Sequence, residues 1–420
     1  MIAEASVARG SRQSPGRRTA VALSLAHGIN DMYMGFLPGL LPLLVARMDL
    51  SLTRVGLTVT LIGLVSNFLQ PVFGHLGDRV GRRALAVAGP MVTALSMSCL
   101  GVVGSYRALL LVLTVGGIGN ATFHPVAASL AGRAARGRSS VRSPLRGDPR
   151  SSCAEGARVM AFFVGGGNLG FGSGPLLAIT FVGLFGLERT WLTAVAGIAV
   201  GVFLFVSVPR SDSRPAEDTG PHEGLQVLAW LAPMLTLYLV VTLRAAAAIT
   251  FTTFVPLLCE RRGEPLALGG FTLLGFSLAG ALGGIAGGLA VRRLQQRWVT
   301  AVTLALAAGC FLVFLRADGV AAAAMALALG ACLFAALPVN IVMAQQLLPR
   351  HATAASGLVM GAAWAAGSFS ATGVGALADF LARSAPAAAA LGRAMEWSVL
   401  LLLVAAALAC LLPELEARDT

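Results

Sequence analysis

The chain has no lysine and few charged residues of any kind. Charged side chains make up 12% of its 420 residues, hydrophobic ones make up 56%, and the mean hydropathy is +0.80. A soluble domain needs a polar and charged surface, so this composition excludes an ordinary soluble protein. It favours a polytopic membrane protein.

Motifs for enzymatic chemistry are also missing. The six cysteines show no paired spacing, so neither a disulfide framework nor a zinc site is expected. The sequence has no phosphate-binding loop and no convincing grouping of serine, histidine and acid. We therefore predict that the chain is not an enzyme and holds no metal or cofactor.

Twelve apolar runs are each long enough to cross a bilayer core of about twenty residues. They lie near 19–46, 54–77, 84–104, 108–132, 158–182, 189–208, 227–258, 267–290, 298–315, 319–346, 354–381 and 395–412. The polar stretch 209–226 separates two groups of six. We predict an all-α membrane protein with 12 transmembrane helices in two pseudo-symmetric six-helix bundles, residues 1–208 and 227–420, joined by a cytosolic linker, 209–226.

The arginines indicate the orientation. The net charge of +12 would suit a nucleic-acid partner, but the arginines lie in short segments between apolar runs, as membrane topology requires. Twenty-one of them fall on the side that carries both termini, nine fall on the other side, and Arg244 lies inside a run. We predict a multi-pass protein of a bacterial inner membrane with both termini cytosolic and no nucleic-acid partner.

The segment from Arg133 to Arg158 carries seven arginines together with Ser, Pro and Gly, and is expected to be disordered. It either binds the anionic headgroups of membrane lipids or acts only as a solvated topology signal.

Polar side chains interrupt several apolar runs. An ionisable group at the bilayer centre costs roughly 2.5–3.5 kcal/mol, so each needs a reason. His27, Asn30 and Asp31 share one helical face, and Asn120 and His124 share another. Further polar residues in the runs are Gln70, Asn168, Arg244 and Asn340. We expect these faces to converge on a wet cavity between the bundles.

A shift of 214 residues relates parts of the two halves and places Arg244 on Asn30, beside Asp31. The buried cation and anion would then lie at similar depth in opposite bundles, either as a structural ion pair or as functional groups, and we favour function. Asp31, with His27 or His124, is the candidate proton carrier, because imidazole titrates at a pH of about 6.5. The alternative for both histidines is a structural bridge between helices.

Candidate solute-binding residues are the remaining polar groups. Arg244 would attract an anionic group, and hydrogen bonds would come from Asn30, Gln70, Asn120, Asn168 and Asn340.

A short basic segment, Gly74–Arg83, lies between the second and third runs. We expect a tight turn in which glycines permit close helix approach, a carboxylate caps a neighbouring helix and arginines stay cytosolic. We predict that this turn acts as a cytosolic gate. The residues of the gate are Gly74, Asp78, Arg79, Gly81, Arg82 and Arg83. Its equivalent in the second half has Arg292 in place of Asp78 and Gln295 in place of Gly81, so capping is expected on one half only. The segment resembles the cytoplasmic loop signature of the major facilitator superfamily.

Further motifs resemble the fosmidomycin-resistance family of facilitator transporters. They are His27-x-x-Asn30-Asp31, the FHP at Phe123–Pro125, the glycine-rich Gly166–Pro175, Gln345–Pro349, Ser356-Gly357-Leu358, the span ending at Asp379, and Arg244 followed by TTFVPLL. The resemblance implies proton-coupled efflux of a small organic solute by alternating access. Gly170-x-x-x-Gly174-Pro175 is similar to an antiporter pattern, although Leu176-Leu177-Ala178 replaces the usual downstream glycines.

Two alternatives remain open at this point. One is proton symport for uptake of an organic acid or sugar, and the other is a non-transporting membrane receptor or assembly partner with the same fold. The sequence identifies neither the solute nor the oligomeric state.

Overall fold

A computed structural model describes residues 15–142, 149–209, 227–291, 293–348 and 352–414. All regular structure within these ranges is helical, and every apolar run of the sequence corresponds to a helical pass. The first six spans are Pro15–Met34 with Phe36–Met48; Leu52–Phe68 with Gln70–Val80; Arg82–Ser98; Tyr106–Arg142; Pro149–Phe185; and Ala194–Ser207, which follows a 3₁₀ turn, Leu187–Thr193.

The last six spans are Val227–Arg261; Leu266–Ala290; Gln296–Arg316; Gly319–Leu347; a segmented span; and Ala387–Met395 with Trp397–Ala409. The segmented eleventh span consists of the α-helices Ala352–Gly357, Ala363–Gly367 and Phe369–Leu381, with a π-helical turn, Leu358–Ala362, between the first two. Within the described residues, eleven helices are long and apolar enough to cross a membrane, and the segmented span completes the twelve.

The spans form two bundles of six. In the first bundle, the first span packs on the fourth and fifth, and the third packs on the fourth and sixth. In the second bundle, the tenth span packs on the eighth and ninth, and the twelfth packs on the seventh and ninth. Large apolar side chains such as Leu111, Val206 and Ile285 cover the outside, where a soluble protein would present polar residues. The predicted fold class is confirmed.

Two local predictions are wrong. Instead of a tight turn from Gly74 onward, the second span stays helical to Val80 and only Gly81 breaks it, with φ of +107°. A glycine adopts this backbone conformation without steric cost, so one residue is enough to reverse the chain. The segment around Arg133–Arg158 is helical up to Arg142 and again from Pro149, because alanine and arginine are good helix formers. Residues 143–148 between them lie outside the described part.

The helices of the protein have two ends. We call them the Asp49 end, where Asp49 connects the first and second spans, and the Gly81 end, where Gly81 connects the second and third spans. The contacts described between the second and eleventh spans reach from the Asp49 end to the middle of these helices. A Cβ at Gly56 would collide with the carbonyl oxygen of Ala371, and the hydroxyl of Thr60 lies 2.8 Å from that of Thr372. The two bundles are therefore in close contact over this half of the interface.

Glycines bring the first span against the fifth. A Cβ at Gly28 would stand 3.0 Å from the carbonyl oxygen of Gly166, and a Cβ at Gly170 would collide with the carbonyl oxygen of Gly28. Only small residues allow two helix backbones to approach so closely. This contact holds the polar face of the first span directly against the fifth span.

Candidate functional site

The carboxylate of Asp31 lies between two imidazole rings. Its Oδ2 is 3.2 Å from Nε2 of His27, one helical turn earlier in the same span, and its Oδ1 is 3.3 Å from Nε2 of His124 in the fourth span. The side chain of Asp31 is 16% exposed, that of His124 is 22% exposed and that of His27 is 8% exposed. The group is thus inside the bundle but not sealed from its surroundings.

The second ring nitrogen of His27 determines how protons are arranged here. Nδ1 lies 2.7 Å from the main-chain carbonyl oxygen of Phe163 in the fifth span. A carbonyl oxygen can only accept a hydrogen bond, so Nδ1 carries a hydrogen. Nε2 therefore either donates to an ionised Asp31 or accepts from a protonated one. In both cases one proton lies between the two side chains.

A hydrogen-bond network joins the first and fourth spans around the same carboxylate. Nδ2 of Asn30 donates to Oδ1 of Asp31 at 3.0 Å and to Oδ1 of Asn120 at 2.7 Å. Nε2 of His124 also lies 3.0 Å from Oδ1 of Asn120. Both neighbours of this nitrogen are acceptors, so Nε2 of His124 carries a hydrogen. The network accounts for four of the polar residues predicted to face a cavity.

The fifth span shapes the site without contributing an ionisable group. The ring of Phe163 stacks on His27, with centroids 4.1 Å apart and an interplanar angle of 24°. A Cβ at Gly167 would stand 2.6 Å from Nε2 of His27 and 2.7 Å from Oδ2 of Asp31. The space for this pair therefore exists only because residue 167 has no side chain.

The same three groups satisfy the spacing of a cation site. His27, Asp31 and His124 each offer one ligand atom, and these atoms lie within 4.8 Å of one another. The three residues were expected to converge from the sequence, but as proton carriers and not as a metal site. The hydrogen bonds to Asn30 and Asn120 already use the oxygen and hydrogen atoms that face the centre, so the arrangement suits a shared proton better than a metal ion.

Arg244 occupies a separate position on the seventh span. Its side chain is fully buried, and none of its three side-chain nitrogens has a hydrogen-bond partner among the described residues. Its guanidinium carbon lies 5.3 Å from the centre of the Trp364 ring, in the eleventh span. The ion pair with Asp31 considered from the sequence is not formed, since the partners of Asp31 are the two histidines.

Three predicted binding residues make no hydrogen bond to the carboxylate of Asp31 within the described part of the chain. Gln70 donates to the carbonyl oxygen of Ser66 within its own span, at 3.0 Å. Asn340 is fully buried and accepts a hydrogen bond from the hydroxyl of Thr300 at 2.9 Å, inside the second bundle. Asn168 is half-buried on the fifth span, next to Gly167.

The predicted gate lies at the Gly81 end. Arg83 donates to the carbonyl oxygen of Phe205 and lies over its ring, 4.5 Å from the centre, which ties the third span to the sixth. Arg79 is exposed and Arg82 is half-buried. A Cβ at Gly74 would make only an ordinary contact, 3.6 Å from Cβ of Pro125. The side chain of Asp78 lies outside the described part, so its capping role stays a prediction.

The sequence analysis missed four residues that shape these sites or the bundle interface. Phe163 and Trp364 are common residue types in apolar helices, so nothing in their identity marks them, and Gly167 was noted only as part of the glycine-rich stretch Gly166–Pro175. Asp379 was noted only as the end of a span. It lies at the Asp49 end, where its carboxylate accepts hydrogen bonds from the first turn of the second span.

Two six-helix bundles, with ionisable side chains buried among their spans, are typical of secondary transporters. The family model of the Major Facilitator Superfamily matches residues 23–372, and the chain belongs to this superfamily. It is 25% identical over 366 residues to the fosmidomycin resistance protein of Escherichia coli (strain K12), covering 85% of this chain and 86% of that protein. It is also 25% identical over 383 residues to the uncharacterized MFS-type transporter YfnC of Bacillus subtilis (strain 168), covering 87% of this chain and 88% of that protein.

Solved transporter structures share the fold. A bacterial homolog of the human lysosomal transporter Spinster, in an inward-facing and occupied conformation, superposes with a TM-score of 0.71 at 16% identity, over 95% of this chain and 97% of that one. The nucleoside transporter NupG gives a TM-score of 0.72 at 13% identity, over 93% and 99%. At these identities the likeness shows the architecture alone.

Proposed function

We propose that the chain is a proton-coupled exporter of a small organic solute, working by alternating access. The observation that carries the coupling is the 3.2 Å contact between Nε2 of His27 and Oδ2 of Asp31, which is suited to sharing a proton. Because Nδ1 of His27 is engaged by Phe163, removal of that proton would leave a nitrogen lone pair facing a carboxylate oxygen. The two side chains would repel each other, and the first span could no longer rest in the same way against the fifth.

This repulsion would couple loss of the proton to a movement of the helices. The first and fifth spans touch along Gly28 and Gly170, so a shift of one backbone is transmitted to the other. The exposed parts of Asp31 and His124 provide the route by which the proton enters or leaves. Binding and release of the proton then accompany the change of conformation, which is what coupled transport requires.

Export is favoured over uptake by the similarity to a protein whose name states a resistance function. The pattern Gly170-x-x-x-Gly174-Pro175 supports the same direction. The orientation with both termini cytosolic rests on the arginine distribution. In that orientation, the close contact between the second and eleventh spans at the Asp49 end lies toward the outer face of the membrane.

The test is transport by the purified protein in vesicles of known orientation, with an imposed pH gradient and a pH-sensitive dye inside. The screen covers organic acids, sugars and drug-like amphiphiles. We expect outward solute movement to be accompanied by inward proton flux. Uptake with protons in the same direction would establish a symporter, and no movement under any gradient would contradict transport altogether.

The coupling residue is tested with Asp31→Asn, which keeps the shape of the side chain and removes its charge. We expect proton flux to fall to that of protein-free vesicles. The matched control is Asp49→Asn, the same chemical change in an exposed residue at the end of the same span, where the left-handed backbone suits asparagine. Full proton flux in Asp31→Asn would exclude the proposed coupling.

A further inference from the structure

Arg244 is fully buried, and among the described residues no acidic side chain pairs with it. Between Val227 and Cys259 it is the one charged residue, and the eleventh span has no charged residue from Ala352 to Ala378. Its Nε, Nη1 and Nη2 atoms are all without a hydrogen-bond partner in the described structure. An uncompensated guanidinium in an apolar interior is strongly unfavourable, and proteins retain such groups where an ion or a ligand completes them.

Among the described residues, the face of Trp364 gives Arg244 a cation–π contact. A guanidinium over an indole ring at 5.3 Å is attracted by the ring electrons, but the ring cannot accept the five N–H hydrogen bonds that the group offers. The contact orients the planar fork and leaves its donors unused. A carboxylate matches this fork with two parallel hydrogen bonds.

In the first bundle, the charged group at the position equivalent to Arg244 has partners from the protein itself. There the polar face of the first span rests on Phe163 of the fifth span, and a carboxylate and two imidazoles complete one another. In the second bundle the seventh span places Arg244 on Trp364 of the eleventh span, with no acid among the described neighbours. The first bundle therefore carries its own balanced charge, and the second presents a charge that must be balanced from outside.

The eleventh span has a structural means of uncovering this cation. Trp364 lies two residues after the end of the π-helical turn Leu358–Ala362, and the hydroxyl of Tyr238 in the seventh span donates to the carbonyl oxygen of Ala362 at 3.4 Å. A π-helical turn holds one extra residue, and its movement along a helix shifts the neighbouring side chains. Such a shift would move Trp364 relative to Arg244.

We propose that Arg244 and Trp364 bind the negatively charged group of the transported solute, and that this solute is a small organic monoanion of the carboxylate class. Arg244 is the one charged residue from Val227 to Cys259, and the eleventh span has none from Ala352 to Ala378, so one negative charge would neutralise the site and a dianion would leave a net buried charge. The inference rests on the proposed transport function, since it describes the cargo of that transport.

The test is equilibrium binding to the purified full-length protein in detergent, at fixed pH and without a gradient. The probes are benzoate, its neutral isostere benzamide, the cation benzylammonium and the dianion phthalate. Thermal unfolding and intrinsic tryptophan fluorescence are measured against probe concentration. We expect benzoate to stabilise the wild type, with little or no effect of the other three. Equal effects of benzoate and benzamide on the wild type would overturn the proposal.

Variants of Arg244 test whether benzoate binds at this residue. Arg244→Gln is expected to weaken benzoate binding about thirtyfold or more, and Arg244→Lys to restore part of it, because truncating one partner of a buried charge pair is costly. The control is Arg383→Gln, which removes an exposed arginine that lies over Phe380 at 5.7 Å. Wild-type benzoate binding by Arg244→Gln would overturn the proposal. If Arg244→Gln is not monodisperse, Arg244→Lys and the probe series on the wild type decide.

Failure of this inference and failure of the proposed function are distinguishable. Anion binding is measured without a proton gradient, so it does not depend on Asp31. If Asp31→Asn loses proton flux while Arg244→Gln binds benzoate normally, the coupling stands and the cargo assignment fails. If Arg244→Gln loses benzoate binding while Asp31→Asn transports fully, the cargo site stands and the coupling fails.

Discussion

The carboxylate of Asp379 accepts hydrogen bonds from both the main-chain N–H and the hydroxyl of Thr53, at 2.8 and 2.6 Å, although the two residues lie 326 positions apart. Its other oxygen accepts from the main-chain N–H of Leu52 at 3.0 Å. The first N–H groups of a helix have no partner within it and form the positive end of its dipole. Asp379 in the second bundle therefore caps the second span of the first bundle and joins the bundles at the Asp49 end.

Replacing this cap is expected to loosen the Asp49 end. Asp379→Asn removes the charge and turns one acceptor into a donor that faces a main-chain N–H. Hydrogen bonds to charged groups contribute about 1.5–3 kcal/mol, so we expect a comparable loss of stability, seen as a lower thermal unfolding temperature in detergent. The control is Asp318→Asn, a carboxylate that is 86% exposed at the start of the tenth span.

A second measurement reports the conformation directly. Thr60 is buried between the bundles, where its hydroxyl donates to the carbonyl oxygen of Ser368 at 2.8 Å. In a cysteine-free background, we expect Thr60→Cys to react faster with a water-soluble maleimide when Asp379→Asn is also present. An unchanged labelling rate would show that the cap stabilises the fold without controlling access.

The two histidines are expected to contribute unequally to the pH dependence of transport. His27 shares its proton with Asp31 alone on the Nε2 side, whereas Nε2 of His124 also donates to Asn120. Glutamine keeps hydrogen-bonding capacity but does not titrate. Between pH of about 5 and 8, where imidazole changes charge, His27→Gln should flatten the rate profile more than His124→Gln.

The readout is the initial proton flux in vesicles with the solute that the screen identifies. His75→Gln is the control, because His75 is exposed on the second span. Equal flattening by both variants would favour a proton shared by all three groups. A wild-type profile in His27→Gln would place the titrating group elsewhere.

The polar part of the candidate site could be predicted from the sequence because polar residues are rare in apolar helices. The i, i+4 spacing of His27 and Asp31, and of Asn120 and His124, was enough to put each pair on one face. The structure brings these four residues together with Asn30. Which span would close the group was not readable, because Phe163 acts through its main-chain oxygen and Gly167 by having no side chain.

Other features of the fold could not be predicted from the sequence for similar physical reasons. The partners of Asp379 are main-chain N–H groups, which every residue type except proline provides, so no pattern marks them. Arg244 and Asp31 were placed at similar depth by internal symmetry, but symmetry does not specify rotamers or partners. The turn predicted over Gly74–Arg83 failed because its polar residues are compatible with a helix, and only one glycine carries the reversal.

Gly81 is expected to be the sensitive position of that segment. Its φ of +107° and ψ of 119° lie in a region that residues with a Cβ rarely adopt. Gly81→Ala should therefore cost about 1–3 kcal/mol of stability, although no atom lies within 4 Å of the new Cβ. Gly104→Ala is the control, since it also has open space but no positive φ. Equal unfolding temperatures for the two variants would contradict the strain argument.

Gly167 is expected to be essential to the His27–Asp31 pair for a steric reason alone. A Cβ at this position would stand 2.6 Å from Nε2 of His27 and 2.7 Å from Oδ2 of Asp31, so one of the two side chains must move away. We expect Gly167→Ala to lose proton-coupled flux while the protein still folds. Gly165→Ala provides the matched control two residues earlier, where nothing lies within 4 Å of the added carbon. Normal coupling in Gly167→Ala would show that the close contact of His27 with Asp31 is not needed for transport.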